Sequence, residues 1–179
     1  MDNRLQEFEK GHEAFQKIKF KQSKERFKKL VDEGQNPKAL FIGCSDSRVM
    51  PAMITGSKPG DLFIVRNIGN FVAPYKPDED YHATASAIEY ATTVLEVSDI
   101  IVCGHSHCGA IESLHKSIEP TSENVHTIKW LELGKEAKKV ALLAYGNNDK
   151  EAMLRYTEKI SVVYQLDNLL TYPGVKKKS

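Results

Sequence analysis

The stretch Ala39–Val49, which reads ALFIGCSDSRV, constrains the fold of this chain more than any other. Its apolar first half ends at Gly43, which predicts a short β-strand buried on both faces. Cys44, Asp46 and Arg48 then occupy alternate positions. Alternate side chains of an extended chain share a face, so this thiol, carboxylate and guanidinium are expected together. Open parallel sheets bind ligands at the carboxyl ends of strands, and we predict a functional site there.

A second apolar run, Ile100–Cys103, ends in a similar way, with the sequence GHSHCG at positions 104–109. Its His105 and Cys108 have a His-x-x-Cys spacing. Together with Cys44 they offer two thiolates and an imidazole, which leaves the fourth position open on a tetrahedral zinc ion. The sequence therefore predicts a zinc site formed by these three residues. Cys103 is expected to be a buried structural thiol.

The charge of this predicted site calls for a further group. Two thiolates and a neutral imidazole cancel the charge of zinc, so a bound water is acidified less than at a site of three imidazoles. Asp46 can accept the proton of the nucleophile in a hydrogen bond and orient it, while Arg48 holds Asp46 in a bidentate pair. The alternative interpretation is an ion pair that only stabilises the fold beside the metal.

The hydrophobic pattern of the remaining chain alternates between strands and helices. A second buried strand is predicted over Asp61–Arg66 and a third from Asp99. This alternation is typical of an α/β fold with a parallel sheet and flanking helices. The predicted helices are Pro51–Ile54, Ala83–Leu95, Ala110–Ser117, Val125–Ala144 and Asp149–Leu170.

Composition excludes several classes of partner. The 25 basic and 24 acidic side chains give a net charge of +1, which predicts neither nucleic-acid nor membrane binding. No apolar run approaches membrane-spanning length, and no leader sequence is recognised. The three cysteines do not have the spacing of a disulfide framework, so a reducing cytoplasm is the expected location.

Three segments are expected in the chain: a helical arm over residues 1–33, a zinc-binding α/β domain over residues 34–175, and a basic, disordered tail over residues 176–179. The arm carries an apolar stripe, and breaks near Gly11 and over Phe20–Ser23 favour two helices over one. Two placements of the stripe remain open. It packs on the sheet of its own chain, or it is exchanged with a partner subunit.

The pattern Cys44-x-Asp46-x-Arg48 followed by His105-x-x-Cys108 resembles that of β-class carbonic anhydrases, in particular plant-like bacterial members. The resemblance extends through PG at 59–60, VRNIGN at 65–70, SAIEY at 86–90 and SVVYQLDNLL at 161–170. It implies the fold of that class and the reversible hydration of carbon dioxide to bicarbonate and a proton. In that reaction a hydroxide on zinc attacks carbon dioxide, Asp46 orients the hydroxide, and Arg48 holds Asp46.

The same resemblance implies one zinc per chain and a homodimer or higher homo-oligomer, with the site at the subunit interface. Some residues of the substrate pocket would then come from the other subunit. The implied pocket residues are Gln35, Phe63, Ile68, Tyr90 and Gly109. Members of the class usually continue into a fourth parallel strand, and this sequence is expected to lack such a C-terminal strand.

The sequence leaves alternative functions open. Hydrolysis of carbonyl sulfide or carbon disulfide would use the same ligands, and a non-catalytic zinc-binding homologue is disfavoured by the presence of Asp46 and Arg48. Thiol catalysis is disfavoured because a thiolate bound to zinc cannot also attack a substrate. Positions 104–109 lack the Lys-Ser/Thr that follows a phosphate loop. The proton acceptor stays open between His12, His82, His107 and buffer.

Overall fold

The computed structural model describes residues 3–146 and 148–177. Within the chain, residues 1–36 and residues 37–179 form two compact units. Asn147, which belongs to the predicted loop between the last two long helices, lies outside the described residues. The same holds for Lys178 and Ser179 of the predicted disordered tail. Lys176, the first residue of that tail, ends a short helix, so the prediction of disorder was wrong there.

The N-terminal unit is helical. The break expected near Gly11 is absent, because the first helix runs through that residue. The helical path is interrupted at Ser23, where φ is −110° and ψ is 12°, so two helical segments are present. Phe15, Phe20 and Phe27 pack together with ring centroids 5.2–6.4 Å apart. Other apolar side chains of the stripe remain in solvent, and Phe8 is 77% exposed. The elements of this unit are α1 (Asn3–Ala14), a π-helix (Phe15–Phe20) and α2 (Lys24–Asp32).

The second unit is built around a parallel sheet, which confirms the predicted fold class. Its described strands are β1 (Ala39–Cys44), β2 (Leu62–Asn67) and β3 (Asp99–Cys103), and they follow the order β2-β1-β3. The register places Cys44 opposite Asn67 and Gly43 opposite Cys103, so the carboxyl ends of the strands meet at one edge.

Burial differs between the strands. All six residues of β1 are buried, as its apolar sequence predicts. The prediction that the second strand is also buried was wrong, because β2 is only half-buried. The reason is its position: among the described residues β2 pairs with β1 alone and forms an edge of the sheet. The core beside the sheet contains Leu40, Ile42, Ile88 and Tyr172.

Helices flank the sheet, and one predicted helix is interrupted. The segment predicted as a single helix over Val125–Ala144 contains a 3-10 turn at Glu132–Gly134. Gly134 packs so closely on Leu114 and Phe71 that an added Cβ atom would require these side chains to shift. No helix in residues 3–146 and 148–177 has the length and hydropathy needed to cross a membrane. The helices are α3 (Pro51–Thr55), α4 (Ala83–Thr93), α5 (Gly109–Leu114), α6 (Val125–Leu131), α7 (Lys135–Tyr145), α8 (Lys150–Leu169) and α9 (Pro173–Lys176).

Candidate metal centre

The carboxyl ends of β1 and β3 bring together the three residues predicted as zinc ligands. Cys44 is the last residue of β1, and Cys108 immediately precedes α5. Their Sγ atoms are 4.0 Å apart. One ring nitrogen of His105 joins them, and the three potential ligand atoms lie within 4.8 Å of one another.

The imidazole of His105 has the surroundings of a metal ligand. Its Nδ1 atom is 2.9 Å from the carbonyl oxygen of Ser106. Its Nε2 atom is buried and has no hydrogen-bond partner among the described residues. Buried polar atoms without partners are rare in folded proteins, and ligating histidines commonly donate their other ring N–H to a carbonyl. The orphaned nitrogen beside two thiols therefore fits a zinc site, with sulfur and nitrogen donors that zinc accepts.

The two thiols lie close enough to hydrogen-bond to each other. This contact favours the thiolate of Cys44 and lowers the pKa of Cys44 below its usual range. The same hydrogen bond raises the pKa of Cys108 above its usual range. Ligating cysteines are thiolates, so the binding of a dication would release any proton that these thiols carry.

Asp46 and Arg48 form the predicted bidentate pair. The Nε and Nη2 atoms of Arg48 donate to Oδ1 and Oδ2 of Asp46 at 2.9 and 2.8 Å. The backbone N–H of Arg48 also donates to Oδ1, at 3.0 Å. These hydrogen bonds hold the pKa of Asp46 well below its usual range and raise the pKa of Arg48. Asp46 is therefore ionised, and its Oδ2 lies 4.0 Å from His105 Nε2.

Arg66 holds the backbone of the first motif, a contact that the sequence did not lead us to expect. Its Nε donates to the carbonyl oxygen of Cys44 at 2.9 Å, and its Nη2 donates to that of Asp46 at 2.6 Å. Arg66 pairs with Gly43 in the sheet register. The available signal was a charged residue near the end of an otherwise apolar strand.

Glu158 of α8 contacts the second motif and was also missed. It is buried, and its Oε1 accepts a hydrogen bond from the backbone N–H of Cys108 at 3.0 Å. The Nη2 atom of Arg155 lies 2.9 Å from the same oxygen. The signal was helical periodicity, because Glu158 lies four residues after buried Leu154 and therefore on the buried face of α8.

The predicted pocket residues Phe63 and Tyr90 lie together, with ring centroids 5.8 Å apart. They do not lie beside the thiols of the same chain. Phe63 pairs with Leu40, four residues before Cys44, and four residues of strand span about 13 Å. Gln35, another predicted pocket residue, belongs to the N-terminal unit.

Ile68 and Gly109 follow residues at the strand ends: Asn67, which precedes Ile68, pairs with Cys44, and Gly109 directly follows Cys108. Gly109 is the exposed first residue of α5. Ile68 directly follows β2, is 48% exposed, and its carbonyl oxygen accepts a hydrogen bond of 2.7 Å from Trp130 Nε1. Gly69 comes next with a φ of 76°, and a Cβ there would approach Phe71 and Ala110 to 2.9–3.0 Å. Only glycine fits this turn without strain.

A cavity of about 1,090 Å³ is lined by Ser45, Ile68, Trp130 and His82 among others. His82 is one of the four proton acceptors considered, and its Nε2 atom lies 2.7 Å from Asp78 Oδ1. Two other candidates lie elsewhere. His107 is within the second motif, and His12 is part of α1.

Cys103 was expected to be a buried structural thiol, and the expected burial was wrong. It is half-buried and lines a smaller pocket of about 200 Å³ together with Arg48 and His105. Its position at the end of the edge strand β3 explains the exposure. The partial burial raises the pKa of the Cys103 thiol, which disfavours a reactive thiolate.

Comparison with known proteins identifies the family. A family model described as carbonic anhydrase matches residues 39–179. β-Carbonic anhydrase 5, a chloroplastic protein of Arabidopsis thaliana, is 38% identical over 167 residues, which cover 92% of this chain and 54% of that protein. The chain spans between 53% and 62% of the length of three curated relatives that it matches.

Solved structures give the same result. The β-carbonic anhydrase CcaA is similar with a TM-score of 0.84 and 35% identity, over 98% of this chain and 77% of that chain. A β-carbonic anhydrase of Sordaria macrospora, described as tetrameric, has a TM-score of 0.84 and 30% identity, over 98% of this chain and 85% of that chain. Together with the Cys-His-Cys cluster at the strand ends, these matches establish that the chain belongs to the β-class carbonic anhydrase family.

Proposed function

We propose that this protein catalyses the zinc-dependent, reversible hydration of carbon dioxide to bicarbonate and a proton. The observation that carries the proposal is the cluster of Cys44, His105 and Cys108, with potential ligand atoms within 4.8 Å of one another. The ionised Asp46 stands beside that cluster. Membership of the carbonic anhydrase family supports the choice of substrate.

The three clustered residues would hold one zinc ion per chain. When bound, zinc acidifies a coordinated water and so supplies a nucleophile at neutral pH. Asp46 would accept a hydrogen bond from that nucleophile and direct its lone pair. The carboxylate of Asp46 stays ionised because the guanidinium of Arg48 donates hydrogen bonds to both of its oxygens. Arg48 therefore acts on the reaction through the position of Asp46.

The apolar substrate would be held largely by side chains that cannot hydrogen-bond to it. Ile68 is exposed at the same end of the sheet and offers such a surface. Phe63 and Tyr90 form a second apolar patch, but along the strand this patch lies about 13 Å from the thiols of the same chain. They can line a pocket with Cys44 only if they come from another subunit.

We therefore include a homodimer in the proposal, with each site completed by the partner. The exposed apolar stripe of the N-terminal unit, including Phe8, offers further surface for such an assembly. The tetrameric description of the Sordaria macrospora relative supports an oligomer and leaves higher assemblies within the proposal. The three free cysteines support a reducing cytoplasm as the location.

Carbonyl sulfide and carbon disulfide are the competing substrates, because both can be attacked by the same nucleophile. The test is stopped-flow kinetics of the zinc-loaded protein with carbon dioxide and with each sulfur compound under identical conditions. We expect carbon dioxide to give the highest kcat/KM. A higher kcat/KM for carbonyl sulfide or carbon disulfide would contradict the proposed substrate while leaving the metal site intact.

A further inference from the structure

The peptide bond between His107 and Cys108 is hydrogen-bonded from both sides. Its carbonyl oxygen accepts from Arg48 Nη2 at 2.8 Å. Its N–H, which belongs to Cys108, donates to Glu158 Oε1 at 3.0 Å. The first partner comes from the loop after β1 and the second from α8. The peptide that carries one of the three clustered thiols is thus fixed between two charged side chains.

The backbone at this peptide requires such support. His107 has a φ of 55°, in the left-handed region that residues other than glycine adopt infrequently. Conformations of this kind cost free energy and persist where surrounding contacts hold them. Here those contacts are the hydrogen bond that Arg48 donates to the carbonyl oxygen of His107 and the one that the N–H of Cys108 donates to Glu158.

Glu158 is an unusual residue for its position on α8. It is 8% exposed, on a helix face shared with buried Leu154 and Ser161. A buried carboxylate is costly unless it is paired and hydrogen-bonded. Glu158 meets both conditions, since Arg155 Nη2 lies 2.9 Å from the oxygen that also accepts from Cys108.

We propose that Glu158, supported by Arg155, is a positioning residue that orients Cys108 for metal binding. The inference rests on the proposed zinc site and adds a residue to it that does not touch the metal or the substrate. Glu158 acts through the backbone: by holding the N–H of Cys108 it fixes the start of α5 and the direction of the Cys108 side chain. Groups that orient metal ligands commonly contribute ten- to a hundredfold to metal affinity.

The test compares substitutions at Glu158 with a control on the same helix. Glu158→Met removes the acceptor of the Cys108 N–H, whereas Glu158→Gln keeps an oxygen that can accept from both Cys108 and Arg155. Gln165→Met is the matched control. Gln165 is fully buried on α8 and accepts from the backbone N–H of Val72 at 2.8 Å, so its loss also orphans a buried N–H, at a segment outside the Cys-His-Cys motifs.

The measurements are the dissociation constant for zinc, from competition with a chromophoric chelator, and the visible spectrum of the cobalt-substituted protein. We expect Glu158→Met to weaken zinc binding by about ten- to a hundredfold and to shift the cobalt bands. Glu158→Gln should retain most of the affinity. Gln165→Met should lower the free energy of unfolding without changing the zinc constant or the cobalt spectrum.

Unchanged zinc affinity and cobalt bands in Glu158→Met would overturn the positioning role and leave the proposed function standing. An equal loss of affinity in Gln165→Met would also overturn it, because the effect would then be one of general stability. If Glu158→Met does not fold, Glu158→Asp gives the same comparison, since it keeps the charge and withdraws the carboxylate by one methylene. A wild-type protein that binds no zinc would overturn both proposals.

Discussion

Arg48 Nη2 donates a hydrogen bond of 2.8 Å to the carbonyl oxygen of His107, 59 residues further along the chain. The same guanidinium holds both carboxylate oxygens of Asp46. One side chain therefore joins the two strand ends that carry the candidate ligands and sets the direction of the carboxylate between them. The geometry of each motif therefore depends on that of the other through Arg48.

The first prediction concerns this joint role. Arg48→Lys keeps the charge but removes the planar, bidentate geometry. We expect kcat per bound zinc to fall about a hundredfold, because a small displacement of Asp46 misaligns the nucleophile. Stopped-flow hydration rates, normalised to zinc content, provide the measurement. A kcat per zinc equal to that of the wild type would show that the bidentate pair is not needed.

The second prediction tests the shared pocket by complementation. A Cys44→Ser subunit has no functional metal site of its own but still offers Tyr90, while a Tyr90→Ala subunit has the metal site but no tyrosine to offer. If Tyr90 serves the partner, each mixed dimer contains one complete site. Denaturing and refolding the two inactive proteins together should then restore up to about a quarter of wild-type activity, from random pairing of subunits.

Proteins that are refolded separately and then assayed as a mixture give the control for this experiment. We expect them to remain poorly active until the subunits exchange. Co-refolded samples with no more activity than the separate proteins would contradict a site completed by the partner, provided that light scattering shows dimers in both.

The third prediction concerns the turn that presents Ile68. Gly69→Ala places a Cβ against Phe71 and Ala110 at a φ of 76°. We expect the free energy of unfolding to fall by about 1–3 kcal/mol from backbone strain. Gly109→Ala is the control, since a Cβ atom added there meets no described atom within 4 Å and its φ is not in the left-handed region. Chemical denaturation measures both, and equal stabilities of the two variants would argue against strain at Gly69.

The sequence was sufficient to predict the clustered residues, for a physical reason. Strand alternation predicted that Asp46 and Arg48 share a face with Cys44, but β1 ends at Cys44, and the two residues lie in a turn in which the N–H of Val49 donates to the carbonyl oxygen of Asp46. Parallel strands end at one edge, so His105 and Cys108 had to meet Cys44 there. These inferences need only local periodicity and sheet topology. The cluster followed from them directly, whereas the Asp46–Arg48 pair is formed within the turn after β1.

The supporting contacts could not be predicted in the same way. Glu158 is 50 residues from Cys108 in sequence, and its role depends on how α8 packs on the sheet. Trp130 likewise reaches Ile68 across 62 residues. The apolar sequence of β2 predicts a buried strand, but the burial of a strand also depends on how many other strands pair with it. Such features are set by tertiary packing rather than by local pattern.

The fourth prediction concerns alkaline pH. Burial raises the pKa of Tyr172 to about 12 in the folded protein, against about 10 for an ordinary tyrosine. The unfolded chain therefore releases the phenol proton at lower pH than the folded protein does. The contribution of Tyr172 to the free energy of unfolding is complete below about pH 10 and is lost as the pH rises through about 12. Denaturation at several pH values should show the decline.

Tyr172→Phe provides the control for this decline. The variant loses the hydrogen bond from the phenol to the carbonyl oxygen of Ala73, so we expect lower stability at neutral pH. Its stability should fall less steeply between pH 10 and 12, the interval set by the two pKa values. Parallel curves for the two proteins across that interval would contradict the assignment.

The proposed reaction depends on zinc held by Cys44, His105 and Cys108. The most direct measurement is zinc content together with carbon dioxide hydration rate for the wild type, Cys44→Ser and Cys103→Ser. The account predicts one zinc per chain and full activity in the wild type and in Cys103→Ser, because Cys103 lies outside the cluster. It predicts loss of both zinc and activity in Cys44→Ser. Full zinc occupancy and hydration in Cys44→Ser would contradict the account.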